Sequence, residues 1–158
     1  MSDFVSADDT SYSERARALV RIGREAIAVE NDAALDAYFG EEFVFHGPDG
    51  DLKFAELKSF FAAMRAAFTD FQCERRQIFG HCDLIAARTN MSGTFDHDFT
   101  ASANGTVQPN GKPMTLELIN FFRYDNDGRL AEEWVQYDNL GILRQLGAEM
   151  EPKTQARV

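Results

Sequence analysis

The chain reads as an α+β domain, helices first and antiparallel strands afterwards. Three observations carry that reading. Apolar residues recur at helical spacing up to Phe68, the texture turns to strands from Gln72, and Asp125-Asn126-Asp127-Gly128 forms a tight turn between two of those strands.

Ser11-Tyr12-Ser13-Glu14 has the S-x-x-E spacing of a capping box and opens a helix expected to run to about Glu30. Ala16, Leu19, Val20, Gly23, Ala26 and Ile27 form its buried stripe. Asp32 is placed to cap a short helix ending near Phe39, with Gly40 beyond it. A brief strand, Phe43–His46, is stopped by Gly47-Pro48. A third helix spans about Phe54–Phe68, with Phe60, Met64 and Phe68 on an apolar side expected to form part of a cavity wall. Strands follow at 72–80, 83–95, 113–124 and 129–137, with a polar loop from Thr100 to Lys112. Asn139–Leu146 makes a terminal helix closed by Gly147. The division is a loose leader at 1–10, one pocket domain at 11–148 and a C-terminal tail at 149–158.

The last hairpin can be put in register. A type I turn with Gly128 in the left-handed position pairs Asp125 with Arg129, and counting outward fixes the remainder. One face then carries Tyr124/Leu130, Phe122/Glu132, Asn120/Trp134, Leu118/Gln136 and Leu116/Asp138. Its few polar groups in an apolar background have the composition of a ligand cavity. The other face carries Ile119, Phe121, Val135 and Tyr137, the surface expected to form a homodimer. A slip of one residue would exchange the two faces.

Length, with 44% hydrophobic residues and 14 Phe, fits one domain enclosing an apolar pocket. A formal charge of −10 argues against a nucleic-acid surface, which needs clustered Lys and Arg. The polar start MSDFVSADDT does not read as a signal peptide, and no apolar run reaches membrane-spanning length. Cys73 and Cys82 fall too far apart on their hairpin to bridge, which fits reduced cysteines in the cytoplasm.

Several motifs carry a family resemblance: FHGP at 45–48, the helix ending AAFTDF, N-G-K-P before a strand, and EEWVQYDNLGILRQLG. The chain resembles the SnoaL-like polyketide cyclases of the nuclear-transport-factor-2-like superfamily, over roughly residues 14–147. The resemblance implies a cone-shaped curved sheet with helices packed over it and a deep pocket. It also implies ring closure by intramolecular aldol condensation without metal or cofactor. The family's acid/base aspartate falls on Asp138 and its tryptophan on Trp134, and His46 matches a position that lines the pocket in relatives. The chain departs from the family pattern at Gly93-Thr94-Phe95-Asp96-His97-Asp98-Phe99, where the histidine is displaced by two residues and a long loop follows. A remodelled pocket mouth around His97 is implied.

An aldol closure needs a base to remove a proton beside a carbonyl and an acid to protonate the new alkoxide. One carboxyl can do both if burial lifts its pKa toward neutrality. Asp138, expected among Trp134, Leu116 and Leu143, is the catalytic candidate, and the distantly related ketosteroid isomerases also use an aspartate base. Its other reading is an ordinary helix N-cap. Asn120 and Gln136 could orient a substrate carbonyl or be a satisfied polar pair. The expected substrate contacts are His46, Met64, Phe68, His97, Asn120, Phe122, Trp134 and Gln136, and no metal site is expected. Arg88, mid-strand, is expected to pair with a nearby glutamate.

The expected function is cofactor-independent acid/base chemistry on a hydrophobic carbonyl compound. Two alternatives stand beside it. One is a non-catalytic carrier using the same pocket; the other is an epoxide hydrolase, which would need two acids and an arginine such as Asp138, Asp96 and Arg88.

Overall fold

The computed structural model describes residues 3–148 and contains four helices and a curved six-stranded sheet. The strands are β1 (Phe39–Gly47), β2 (Gly50–Lys53), β3 (Phe68–His81), β4 (Leu84–Phe95), β5 (Pro113–Tyr124) and β6 (Leu130–Tyr137). Their spatial order is β2-β1-β6-β5-β4-β3. The sheet is mixed where an antiparallel one was expected. β1 runs parallel to β6, and every other neighbouring pair is antiparallel. The parallel pair is possible because the chain crosses β2, a helix and β3–β5 before β6 returns beside β1.

Helix α1 (Glu14–Ile22) begins at Ser13, whose hydroxyl accepts from Ala16 N at 3.2 Å. The cap is therefore Ser13, two residues beyond the Ser11 of the expected box. The helix does not run evenly to Glu30. It passes into a π-helical turn, Gly23–Ile27, closed by Ala28 N to Gly23 O at 3.0 Å. Gly23 lies against β3, where an added Cβ would sit 2.8 Å from the Cys73 carbonyl oxygen. Only glycine allows this approach, which brings Ile22 and Ile27 to the wall of the cavity below.

Helix α2 (Asp32–Tyr38) is capped by Asn31, not Asp32, with its side-chain oxygen accepting from Ala34 N at 3.2 Å. β1 is longer than expected, and β2 was not foreseen: Gly47↔Gly50 closes a tight hairpin around Pro48-Asp49. Helix α3 (Phe54–Ala67) buries Leu57, Phe61, Met64 and Ala67. Helix α4 (Asn139–Gln145) follows β6 directly.

The expected leader is held at Val5. Val5 is buried, its N–H donates to Arg75 O at 2.7 Å, and its carbonyl accepts from the Arg24 guanidinium at 3.2 Å. The expected tail at 149–158 lies outside the described residues. Cys73 is buried, Cys82 is exposed, and neither forms a disulfide. Among the described residues no helix is long and apolar enough to cross a membrane.

The terminal hairpin holds the main correction. The turn forms as expected: Gly128 has φ 78°, Asp125 N donates to Arg129 O at 2.8 Å, and Tyr124 pairs with Leu130. Arg123 then pairs with Glu132, leaving Ala131 as a bulged extra residue. From there the register is shifted by one: Phe122↔Glu133, Phe121↔Trp134 and Asn120↔Val135. β5 keeps its expected inner face, with Leu116, Leu118, Asn120, Phe122 and Tyr124 buried, but β6 exchanges faces. Glu133 and Val135 turn in, and Glu132, Trp134 and Gln136 turn out. The expected dimer surface is divided by the same shift: Ile119 and Phe121 are outside, while Val135 is in the core.

Candidate functional site

Between the helices and the inner face of the sheet lies an apolar cavity of about 530 Å³. Leu57 and Phe61 of α3, Leu118 and Phe122 of β5, and Val135 of β6 form much of its wall. Residues 100–103 of the long loop contribute to the rim, and that loop is folded back by a Phe99↔Val107 bridge. A smaller hollow of about 50 Å³ adjoins it and is lined by Met64, Phe68, Ile142 and Leu146, among others.

One polar chain crosses this apolar interior. Arg75 of β3, only 3% exposed, donates through Nη1 to Thr89 Oγ1 at 2.5 Å and through Nε to Leu19 O at 3.5 Å. The Thr89 hydroxyl donates to Asn120 Oδ1 at 2.7 Å. Asn120 Nδ2 donates in turn to Glu133 Oε1 at 2.9 Å. Every donor points the same way, from guanidinium to carboxyl, so each bond polarises the next. Burial raises the Glu133 carboxyl to about 7, against the opposing pull of Arg75 and the Asn120 hydrogen bond. Arg75, Asn120 and Glu133 all line the cavity. Arg75 also lies 5.3 Å from the centre of the Phe122 ring.

A second polar pair sits nearby. The hydroxyls of Tyr38 and Tyr124 are hydrogen-bonded to each other, and Tyr38 reaches the cavity. Burial holds Tyr38 well above the ordinary tyrosine range and Tyr124 at about 12, so both remain neutral proton donors. The Arg15 guanidinium covers the Tyr124 ring at 4.6 Å. Among the described residues no three His, Cys, Asp or Glu side chains gather as a metal site would require.

Set against this geometry, the sequence-derived candidates divide. Asn120 and Phe122 line the main cavity, and Met64 and Phe68 line the adjoining hollow. Asp138 does not join them. Its side chain is exposed, and Oδ1 accepts from Gly141 N at 2.8 Å as the N-cap of α4. Trp134 is on the outer face, 39% exposed, stacked on His46 with ring centres 5.5 Å apart. His46 is held between Glu132 and Asp51, each at 2.8 Å, outside the cavity. Gln136 belongs to an outer depression with Arg76, Arg88 and Glu117. Arg88 finds its glutamate there, Glu117 at 3.9 Å. His97 is exposed where the chain leaves β4, and its backbone N–H donates to Ala67 O at 3.1 Å. Asp96 is exposed as well, so Asp96, Arg88 and Asp138 do not meet in the cavity.

The sequence reading missed Arg75, Thr89, Glu133 and the two tyrosines. For Glu133 the signal was its neighbour, since one bulged residue before it exchanges Glu132 and Glu133 between faces.

Comparison with known proteins returns one family for a chain of this fold. The model of the SnoaL-like polyketide cyclases matches residues 17–146. The chain belongs to that family. Among solved structures it is similar to AclR, a proposed hydroxylase from Streptomyces galilaeus, with TM-score 0.72 and 22% identity over 89% of this chain and 85% of that one. It is also similar to IdmH, a proposed polyketide cyclase from Streptomyces antibioticus, with TM-score 0.70 and 23% identity over 85% and 99%. A Catenulispora acidiphila protein of ketosteroid isomerase-like fold, solved in complex with trimethylamine, aligns with TM-score 0.62 and 13% identity over 88% and 98%. No curated protein matches the chain. Within the family, the shared fold does not determine the reaction, which depends on the residues in the cavity.

Proposed function

We propose that this family member performs acid/base chemistry on a hydrophobic, carbonyl-bearing small molecule held in the cavity, with Glu133 as the proton carrier. The observation that carries this reading is a buried carboxyl at the wall of an apolar cavity with its pKa raised to about 7. Such a group is divided between base and acid near neutral pH, the condition under which one residue can take a proton and return it.

The roles follow from the contacts. Asn120 fixes Oε1 of Glu133, which leaves Oε2 to face the substrate C–H beside the carbonyl. Removing that proton moves negative charge onto the carbonyl oxygen. The neutral Tyr38 hydroxyl, on turning its hydrogen from Tyr124 to the substrate, would donate to that oxygen, and the Arg75 charge stabilises the same anion. In a ring closure the enolate carbon attacks a second carbonyl, and the protonated Glu133 returns its proton to the alkoxide. Asp138 is left with the structural task of capping α4.

The test is deuterium exchange beside the carbonyl of an apolar bicyclic ketone, 2-tetralone, followed by NMR. The native protein is expected to accelerate exchange, with a rate that rises through about pH 7 as Glu133 ionises. Glu133→Gln should lose about 100-fold or more, the usual contribution of a general base. Asp138→Asn should exchange within about twofold of the native protein, because a capping asparagine replaces a capping aspartate. The reverse pattern would return the catalytic role to Asp138. A bound ketone with no accelerated exchange would favour the carrier reading.

A further inference from the structure

Deep in the cavity the balance of charge is unusual. Asp49 and Glu56 sit at its exposed rim, and the charged side chains buried in its wall are Arg75 and Glu133. Among the described residues these two form no direct ion pair; Thr89 and Asn120 stand between them. Among the described residues the guanidinium's contacts are neutral: a hydroxyl, a carbonyl and the Phe122 ring. A buried cation with neutral contacts retains an uncompensated charge, which is costly in an apolar surrounding. Ionised Glu133 supplies the balancing charge from a distance.

We infer that the cavity takes its ligand as a delocalised oxygen anion on an apolar body, a carboxylate or an enolate docked toward Arg75, and that its arrival puts a proton on Glu133. This rests on the reading of the cavity as the small-molecule site and adds the charge of what it holds. A second anion beside ionised Glu133 would place two negative charges in one low-dielectric space, so the carboxyl protonates as the ligand takes over the Arg75 charge. The other titratable groups around Glu133 do not compensate. Cys73 on β3, Tyr38 on α2 and Tyr124 on β5 are all pushed upward by burial and stay neutral, and Arg15 of α1 lies against the Tyr124 ring. One proton therefore accompanies one anion, so a bound anion reproduces the state that follows proton removal from a neutral ketone: negative oxygen toward Arg75, and Glu133 in the acid form that returns a proton to product.

The test uses three bicyclic probes in calorimetry: 2-naphthoate as carboxylate, 2-hydroxy-1,4-naphthoquinone as enolate, and neutral 2-naphthamide. Titrations in phosphate and in Tris separate proton uptake from binding heat. At pH 8 an anion should take up close to one proton, and at pH 5.5 almost none. Its affinity should fall about tenfold for each pH unit above 7, while the amide stays level. Whichever anion binds more tightly identifies the ligand's charged group.

Glu133→Gln, fixed in the neutral state, should bind the anions without proton uptake and, at pH 8, about tenfold more tightly than the native protein. A gain of affinity cannot come from misfolding. Arg75→Met should lose the preference for anion over amide while still binding the amide. Anions that bind at pH 6 no better than the amide, or that bind at pH 8 without taking up a proton, would overturn the inference and leave the exchange experiment on 2-tetralone to stand by itself. Failure of all three probes to bind would overturn it together with the reading of the cavity.

Discussion

Glu132 and Glu133 are consecutive residues of one type on one strand, and their surroundings drive them in opposite directions. Glu132 faces outward, where His46 at 2.8 Å and the Arg123 guanidinium at 3.1 and 3.2 Å hold its carboxyl below the usual range. Glu133 faces the cavity, where burial raises it to about 7 despite Arg75 and Asn120. The comparison teaches that strand parity sets the environment of each carboxyl. A carboxyl on the outside is a strut between elements; one residue further along it is a candidate proton carrier.

The largest effect expected from breaking this pair is on stability against pH. Glu133 binds its proton more tightly folded than unfolded, so its contribution is fully present below its ordinary unfolded pKa and is lost as pH rises through about 7. Over the window from about pH 5 to pH 8 that loss amounts to about 3 kcal/mol, at 1.36 kcal/mol for each unit. Glu133→Gln removes the titration, so urea melts should show the variant gaining on the native protein by about that amount between pH 5 and pH 8. Parallel curves for the two proteins would mean that Glu133 is not held in the neutral form.

The same parity explains how much was legible beforehand. The α+β class, helices α1–α4, five of the six strands and the turn at 125–128 follow from spacing and turn chemistry, which are local properties. The inner face of β5 was legible too, because Leu116, Leu118, Asn120 and Phe122 alternate without interruption. β6 was not. Its bulge at Ala131 is a tertiary adjustment between strands, and counting outward from a well-predicted turn carried every later residue to the wrong face. Arg75 was hidden for a related reason. It is followed by Arg76, and the β3–β4 register shifts between Arg75 and Gln77, so the sequence does not say which arginine turns inward. The β1–β2 hairpin and the parallel β1–β6 pair depend on where distant strands meet, which no local pattern records.

Asp138 gives a sharper and smaller test of the distinction between capping and catalysis. As the N-cap of α4 its oxygen accepts from Gly141 N, and replacing it with alanine should cost about 1 kcal/mol of stability. Asp138→Asn keeps an oxygen for the same bond and should cost only a few tenths of a kcal/mol. Thermal melts of the two variants separate the readings: a cap is sensitive to alanine and tolerant of asparagine. Equal losses from both would require the carboxylate charge itself.

The smallest effect belongs to Glu132, and its smallness is the point of the comparison. His46 sits between Glu132 and Asp51, which hold its pKa above the ordinary histidine value. Its share of stability is therefore present below the unfolded histidine pKa and lost as pH rises through the elevated one, whereas the share of Glu132 is present above the ordinary glutamate value and lost as pH falls through its lowered one. The two act together only in the window between. The groups are partly solvent-exposed, so screening limits the pair to less than about 1 kcal/mol. Glu132→Gln should lower stability by no more than that near pH 6, with the loss fading as the pH is raised and His46 discharges, and should leave exchange of 2-tetralone unchanged. A large catalytic loss from Glu132→Gln, with Glu133→Gln harmless, would mean that β6 carries the regular register in solution and that its faces are the reverse of those described.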